Sequence, residues 1–203
     1  MNIIIITGAS SGLGEEFARQ LDRLFTRIDE IWLIARRKER MEEISKGLQT
    51  RCRAIGLDMT EQGDMERFCA MLKKEAPVIR MLVNCAGFGL MGAVARIPLR
   101  EQKEMIRLNC MALTEMTHLC LPYVSRGSRL IQMASSAAFL PQENFAVYAA
   151  TKAYVLSFSQ ALNRELKARG IKVTSVCPGP VDTAFFDIAE RYGKTLAVKK
   201  LTI

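Results

Sequence analysis

Tyr148 and Lys152 lie four residues apart in the segment Y-A-A-T-K, a spacing that sets both side chains on one face of a helix. A phenol ordinarily keeps its proton until about pH 10, and a nearby cation lowers that value. The pair therefore predicts a general acid/base for interconverting a carbonyl and an alcohol near neutral pH. The same spacing occurs on many ordinary helix faces. Its meaning depends on the elements that position it.

Those elements alternate along the chain. Strand-like runs are expected at Asn2–Thr7, Glu30–Ala35, Arg53–Leu57, Arg80–Asn84, Arg129–Ala134 and Lys172–Cys177. Runs such as IIII and IWLI are almost wholly apolar, as strands covered on both faces must be. Helical patterns fall between them, at Gly14–Phe25, Lys38–Leu48, Glu61–Lys74, Leu99–Val124 and Val147–Arg169. The first groups Phe17, Leu21, Leu24 and Phe25 on one side, and the last groups Tyr154, Phe158, Leu162 and Leu166. Thr60 is the expected N-cap of the third helix, and Gly170 closes the last. Strict β–α alternation predicts an α/β fold, a doubly wound parallel sheet of Rossmann type with helices on both faces. No linker or repeat divides residues 1–203, so one domain is expected.

Directly after the first strand comes T-G-A-S-S-G-L-G, and then a helix. Glycines allow a tight turn and close backbone approach, while a helix start offers free N–H groups to a pyrophosphate. Gly8, Ser10, Ser11, Gly12, Leu13 and Gly14 are therefore the expected phosphate-binding residues. The second strand ends in Ala35-Arg36-Arg37, where an NAD site usually has an acid for the ribose 2′-hydroxyl. Guanidinium groups suit a 2′-phosphate instead, so NADP is favoured over NAD.

The spacing G-x-x-x-G-x-G resembles that of the short-chain dehydrogenase/reductase family, whose classical members carry T-G-x-x-x-G-x-G. Four further segments are similar to the family in order. Leu57-Asp58-Met59 falls where relatives place an aspartate near the adenine, and Asn84-Cys85-Ala86-Gly87 resembles the family's N-A-G motif. Cys85 stands there in place of an alanine and reads as packing. Asn109 matches an asparagine that in relatives helps hold a water leading to the lysine. Pro178-Gly179-Pro180-Val181-Asp182-Thr183 is similar to the P-G-x-V-x-T stretch beside the nicotinamide. The family also places a serine about a dozen positions before the tyrosine, where this chain has Ser135 and Ser136. Ser136 is the expected one.

The resemblance implies that NADPH delivers hydride to a ketone or aldehyde while Tyr148 gives the proton. Ser136 would polarise the substrate oxygen, Lys152 would hold the nicotinamide ribose and lower the tyrosine pKa, and Asn109 would support the relay. Alternatives are an inactive or regulatory nucleotide-binding protein of the same fold, or an epimerase or dehydratase, which the glycine spacing disfavours. Relatives continue through a helix pair to a seventh strand, which cannot be placed in the tail FFDIAERYGKTLAVKKLTI. Either the chain is truncated or its pocket is unusually open. Family dimers often pair the two longest helices, here Leu99–Val124 and Val147–Arg169, so a homodimer is expected. Ala138-Phe139-Leu140-Pro141 and Phe185-Phe186 are expected to line a partly hydrophobic pocket for a small carbonyl or alcohol substrate.

Composition narrows the alternatives. Hydrophobic residues make up 49% and charged residues 25%, the balance of a soluble globular chain rather than a disordered one. The apolar run Ile3–Ile6 is too short to span a bilayer. The net charge of +8 raises nucleic-acid binding, but the cations are interspersed with acids, as in RRKERMEE, and no aromatics interleave with a basic stripe. His118 is the sole histidine, which argues against histidine metal sites and Ser-His-Asp triads. Cys52, Cys69, Cys85, Cys110, Cys120 and Cys177 include no C-x-x-C pair and read as reduced residues of a cytoplasmic protein.

Overall fold

The computed structural model describes residues 1–193. Its centre is a six-stranded sheet whose pairings are all parallel: β1 (Asn2–Thr7), β2 (Glu30–Ala35), β3 (Cys52–Gly56), β4 (Val78–Asn84), β5 (Val124–Met133) and β6 (Lys172–Val176), in the order β3-β2-β1-β4-β5-β6. The order reverses between β1 and β4, and strand ends there open the crevice in which such sheets bind ligands.

The four consecutive isoleucines of β1 show why the run is continuous. Ile3 and Ile5 enter the core on one face, with Phe68 and Leu72 of α3 (Gln62–Glu75). Ile4 and Ile6 enter the core on the other face, with Ala18 and Leu21 of α1 (Gly12–Leu24) and Met41 of α2 (Lys38–Ser45). All four are fully buried, each stabilising the fold by roughly 1.5–3 kcal/mol. The same alternation sends Trp32 and Ile34 of β2 one way and Ile31 and Leu33 the other.

Three local expectations need correction. The helix expected over Leu99–Val124 is broken into α4 (Leu99–Ile106), a π-helical turn (Arg107–Ala112), α5 (Leu113–Cys120) and a short 3-10 turn, and Val124 already belongs to β5. Thr60 does not cap α3, because its hydroxyl bonds the Asp58 carboxylate at 2.6 Å and Glu61 takes the cap position. Leu24 is 72% exposed at the end of α1, away from the core that Leu21 joins. Gly170 does close the region after α6 (Ala146–Leu166), in a left-handed conformation with φ +67°. A short helix, α7 (Phe185–Ala189), follows β6 and buries Phe186 and Ala189. The tail in which the seventh strand was sought extends into residues 194–203, outside the described residues. Among the described residues no helix is long and apolar enough to cross a membrane.

Candidate active site

A cleft of about 1690 Å³ runs along the strand ends. At one end is the glycine turn. Gly8 has φ +67°, and a Cβ on Gly14 would stand 2.3 Å from the Gly8 carbonyl oxygen, so only bare backbone permits α1 to begin this close to β1. Among the described residues no side chain caps α1, which leaves its first N–H groups for an anion. Arg37 reaches from the end of β2 into this turn, with Nη2 3.1 Å from the Ser10 hydroxyl and 3.0 Å from that of Ser11. Arg36 leans the other way, 4.0 Å from the Asp58 carboxylate, and both partners keep substantial solvent exposure. Asp58 also accepts from the Thr60 N–H and hydroxyl, which fixes the loop beyond β3. Met59 lines the cleft beside it.

The middle of the cleft is built on the loop after β4. Thr7 accepts the Ala86 N–H at 3.1 Å and so joins the ends of β1 and β4. Ala86 and Gly87 face the cleft, as do Pro178, Gly179, Val181 and Thr183 from the segment after β6. Asn84 does not. It is buried below the floor, its amide donating to Thr117 and to Gln132, both at 3.0 Å. It ties β4 to α5 and β5 instead of reaching a cofactor, because alternation along the strand turns it into the core.

Asn109 lies in the π-helical turn and is 1% exposed. Its Nδ2 donates to the Phe88 carbonyl oxygen at 2.8 Å and to the Thr151 hydroxyl at 3.0 Å, and its Oδ1 accepts the Phe88 N–H at 3.1 Å. Both donors are committed, so this side chain braces the 87–89 loop against α6. It does not reach the cleft.

Tyr148 and Lys152 sit together on the first turns of α6, as their spacing requires. The Lys152 ammonium donates to the Met133 carbonyl oxygen at 2.7 Å and stands 5.7 Å from the centroid of the Tyr148 ring. Burial pushes the Lys152 pKa down to about 8, with the Cys85, Cys110 and Cys177 thiols as its charge neighbours. Burial also pushes the Tyr148 phenol up to about 12, partly offset by Ser135. The expected lowering of the tyrosine by its lysine does not occur here: desolvation dominates, only Ser135 opposes it, and the phenol holds its proton at neutral pH.

Ser135, not Ser136, faces that phenol. Ser135 prolongs the extended path of β5 (φ −167°, ψ 158°), and its Oγ accepts the Ala137 N–H at 3.2 Å. The chain then turns, and Ser136 is exposed at the rim with its N–H bonded to the Pro178 carbonyl oxygen. The pocket wall also differs from expectation. Phe185 and Phe186 line it, but Phe139 and Leu140 are 62% and 71% exposed and lie outside it. Phe145 and Phe88 line it without having been foreseen. Phe145 sits three residues before Tyr148, a helical spacing legible in the sequence. Cys85 is a packed thiol, pushed up to about 12 by burial and thus inert as a nucleophile.

A sheet with this strand order, a glycine turn under α1 and a serine, tyrosine and lysine converging at its C-terminal edge define an oxidoreductase class. The sequence profile of the short chain dehydrogenase family matches residues 2–191, and the chain belongs to that family. It is similar to the serine 3-dehydrogenase of Rhizobium radiobacter, with 34% identity over 187 residues covering 90% of this chain and 73% of that one. A short-chain dehydrogenase from Sphingobium yanoikuyae, solved in complex with NADPH, superimposes with a TM-score of 0.87 at 28% identity, covering 100% of this chain and 79% of that one. The closed form of a serine dehydrogenase complexed with NADP+ gives 0.83 at 29% identity, covering 98% and 84%.

Proposed function

We propose that this chain interconverts a ketone or aldehyde and the matching alcohol, using NADP(H). The observation that carries this reading is the convergence of Ser135, Tyr148 and Lys152 at one end of a cleft whose other end is the glycine turn with Arg37. The residues fit the nucleotide. The glycine turn leaves room for phosphates against backbone N–H groups. One of the three protons of the Lys152 ammonium is held by Met133, which leaves the others for ribose hydroxyls. Arg37 with the Ser10 and Ser11 hydroxyls forms a donor cluster suited to a 2′-phosphate. Solved relatives at 28% and 29% identity carry NADPH and NADP+, and another at 25% carries NADH, so the choice of NADP rests on Arg37 and its two serines.

When bound, the nicotinamide supplies a hydride to the carbonyl carbon. The chain's own residues do the rest. Ser135 donates a hydrogen bond to the carbonyl oxygen and polarises it. Tyr148, protonated at neutral pH, transfers its phenolic proton to that oxygen as the alcohol forms. Lys152 orients the ribose and stabilises the phenolate left behind, and Asn109 keeps the 87–89 loop in place. Met91, Phe145, Phe185 and Phe186 line the substrate side, which suits a small or medium carbonyl compound with an apolar substituent. Following NADPH consumption over a panel of ketones and aldehydes, with Tyr148→Phe as control, tests the reading. The parent should turn over at least one of them, and Tyr148→Phe should bind NADPH without turnover; an active Tyr148→Phe protein would refute the assignment.

The same reading pairs two copies through α4–α5 and α6, where Ile106, Met111 and Tyr154 are exposed. Light scattering of the parent against Met111→Lys distinguishes a dimer from a monomer.

A further inference from the structure

Phe145 stacks on Tyr148, with ring centroids 4.2 Å apart and planes inclined by 22°. The chain is shaped to deliver this contact. Phe145 is the N-cap of α6 at φ −144° and ψ 21°. Its N–H donates to the Gln142 carbonyl oxygen at 3.2 Å, and its own carbonyl accepts the Ala149 N–H at 2.9 Å. An i,i+3 spacing then brings the two rings to one side of the helix start. At the edge of the phenol ring lies Gly89. A Cβ there would stand 2.6 Å from Tyr148 Cδ2 and 2.9 Å from Phe185 Cζ, so the ring rests directly on backbone. Phe185 completes the surround with its centroid 5.5 Å from that of the phenol.

We propose that Phe145 is a positioning residue for the Tyr148 acid: stacked on the phenol above the Gly89 backbone, it fixes the ring's rotamer and keeps cleft water from it. The proposal rests on Tyr148 being the proton donor. Among the described residues two polar groups face the phenol, Lys152 from its own helix and Ser135 from the end of β5. The Gly89 loop brings backbone, and α7 brings the Phe185 ring. Desolvation is the main influence on this phenol, and one face of that dry environment is the Phe145 ring. Its removal admits water, and a hydrated phenol ionises more readily.

Phe145→Leu removes the stack but keeps an apolar side chain, while Phe145→Tyr retains an aromatic ring. Tyrosine 13Cζ NMR follows ionisation directly, with Tyr148→Phe identifying the resonance among those of Tyr123, Tyr154 and Tyr192, and circular dichroism verifying the fold at each pH. In the parent, Tyr148 should stay protonated at pH 11. In Phe145→Leu its ionisation should fall by about one pH unit, kcat should drop about tenfold for a loosened proton donor, and the KM for NADPH should be unchanged. Phe145→Tyr should restore both values. Tyr148 ionising at the same pH in Phe145→Leu as in the parent overturns the proposal. The NMR titration needs no substrate, so it judges Phe145 separately from the carbonyl panel that judges the reaction.

Discussion

Lys152 Nζ donates to the Met133 carbonyl oxygen at 2.7 Å, and its charge neighbours are three cysteine thiols, with no carboxylate among them. Desolvation without a compensating carboxylate pulls it from its ordinary 10.5 down to about 8, although the Met133 carbonyl dipole favours the charged form.

That lysine makes stability depend on pH. Below pH 8 it is charged in both folded and unfolded chains, so the folded state bears the full cost of the buried charge. Between about 8 and 10.5 the unfolded chain binds the extra proton, and stability from this group rises with pH. Lys152→Met removes the term. The stability of the variant relative to the parent should therefore be most favourable at pH 7 and decline by on the order of 2 kcal/mol by pH 10. Urea unfolding of both proteins at the two pH values measures it. An equal gap at pH 7 and pH 10 would contradict the burial of the charge.

The two serines should separate cleanly. Ser135→Ala removes the hydroxyl that faces the phenol and should lower kcat by roughly 10²–10³-fold, as loss of one oxyanion donor does. Ser136→Ala, at the exposed rim, should stay within a few-fold of the parent. The reverse ranking would restore Ser136 to the role first expected for it.

Arg37→Ala takes away the guanidinium that meets Ser10 and Ser11. Hydrogen bonds to charged groups contribute about 1.5–3 kcal/mol, so the KM for NADPH should rise about 10- to 100-fold while that for NADH stays level. A parallel loss with both cofactors would place Arg37 in a merely structural part.

Gly89→Ala puts a methyl group where 2.6 Å separates it from the Tyr148 ring. The ring must shift, and a displacement of about 1 Å in a reacting group costs on the order of 10² in rate. NADPH binding, read by fluorescence, should survive, since the glycine turn under α1 is untouched. Retention of full turnover would show that the ring can yield without cost.

The residue pattern disclosed the sheet almost to the residue in β1 and β2, because strands packed on both faces must be written in continuous apolar runs. It also located the glycine turn, and its Tyr-Lys spacing matches a pair that the structure holds together on α6. What it hid has specific causes. The serine that faces the phenol depends on one φ,ψ step at the end of β5, and Ser135 and Ser136 are chemically identical. Thr60 lost its capping role to a neighbour, Asp58, that competes for the same hydroxyl. The asparagine of N-C-A-G is a polar residue whose partners, Thr117 and Gln132, are distant in the chain, so its burial under the floor could not be read locally. Leu24 fits the apolar side of α1 by count but falls at the helix end, where the sheet no longer covers it.

The π-helical turn at Arg107–Ala112 acts as a phase shift in the helical register. An α-helix advances by roughly 100° per residue, so one extra residue in a turn rotates everything after it by about that angle. Within the turn Asn109 points inward to Phe88 and Thr151, and Met111, two positions on, is 62% exposed on the other side. Deleting a single residue within this turn would leave α4 in place but rotate α5 against the sheet, moving Met116 and Cys120 off the core. One surplus residue thus keeps two helical halves, each with its own buried face, in different angular frames on a single continuous rod.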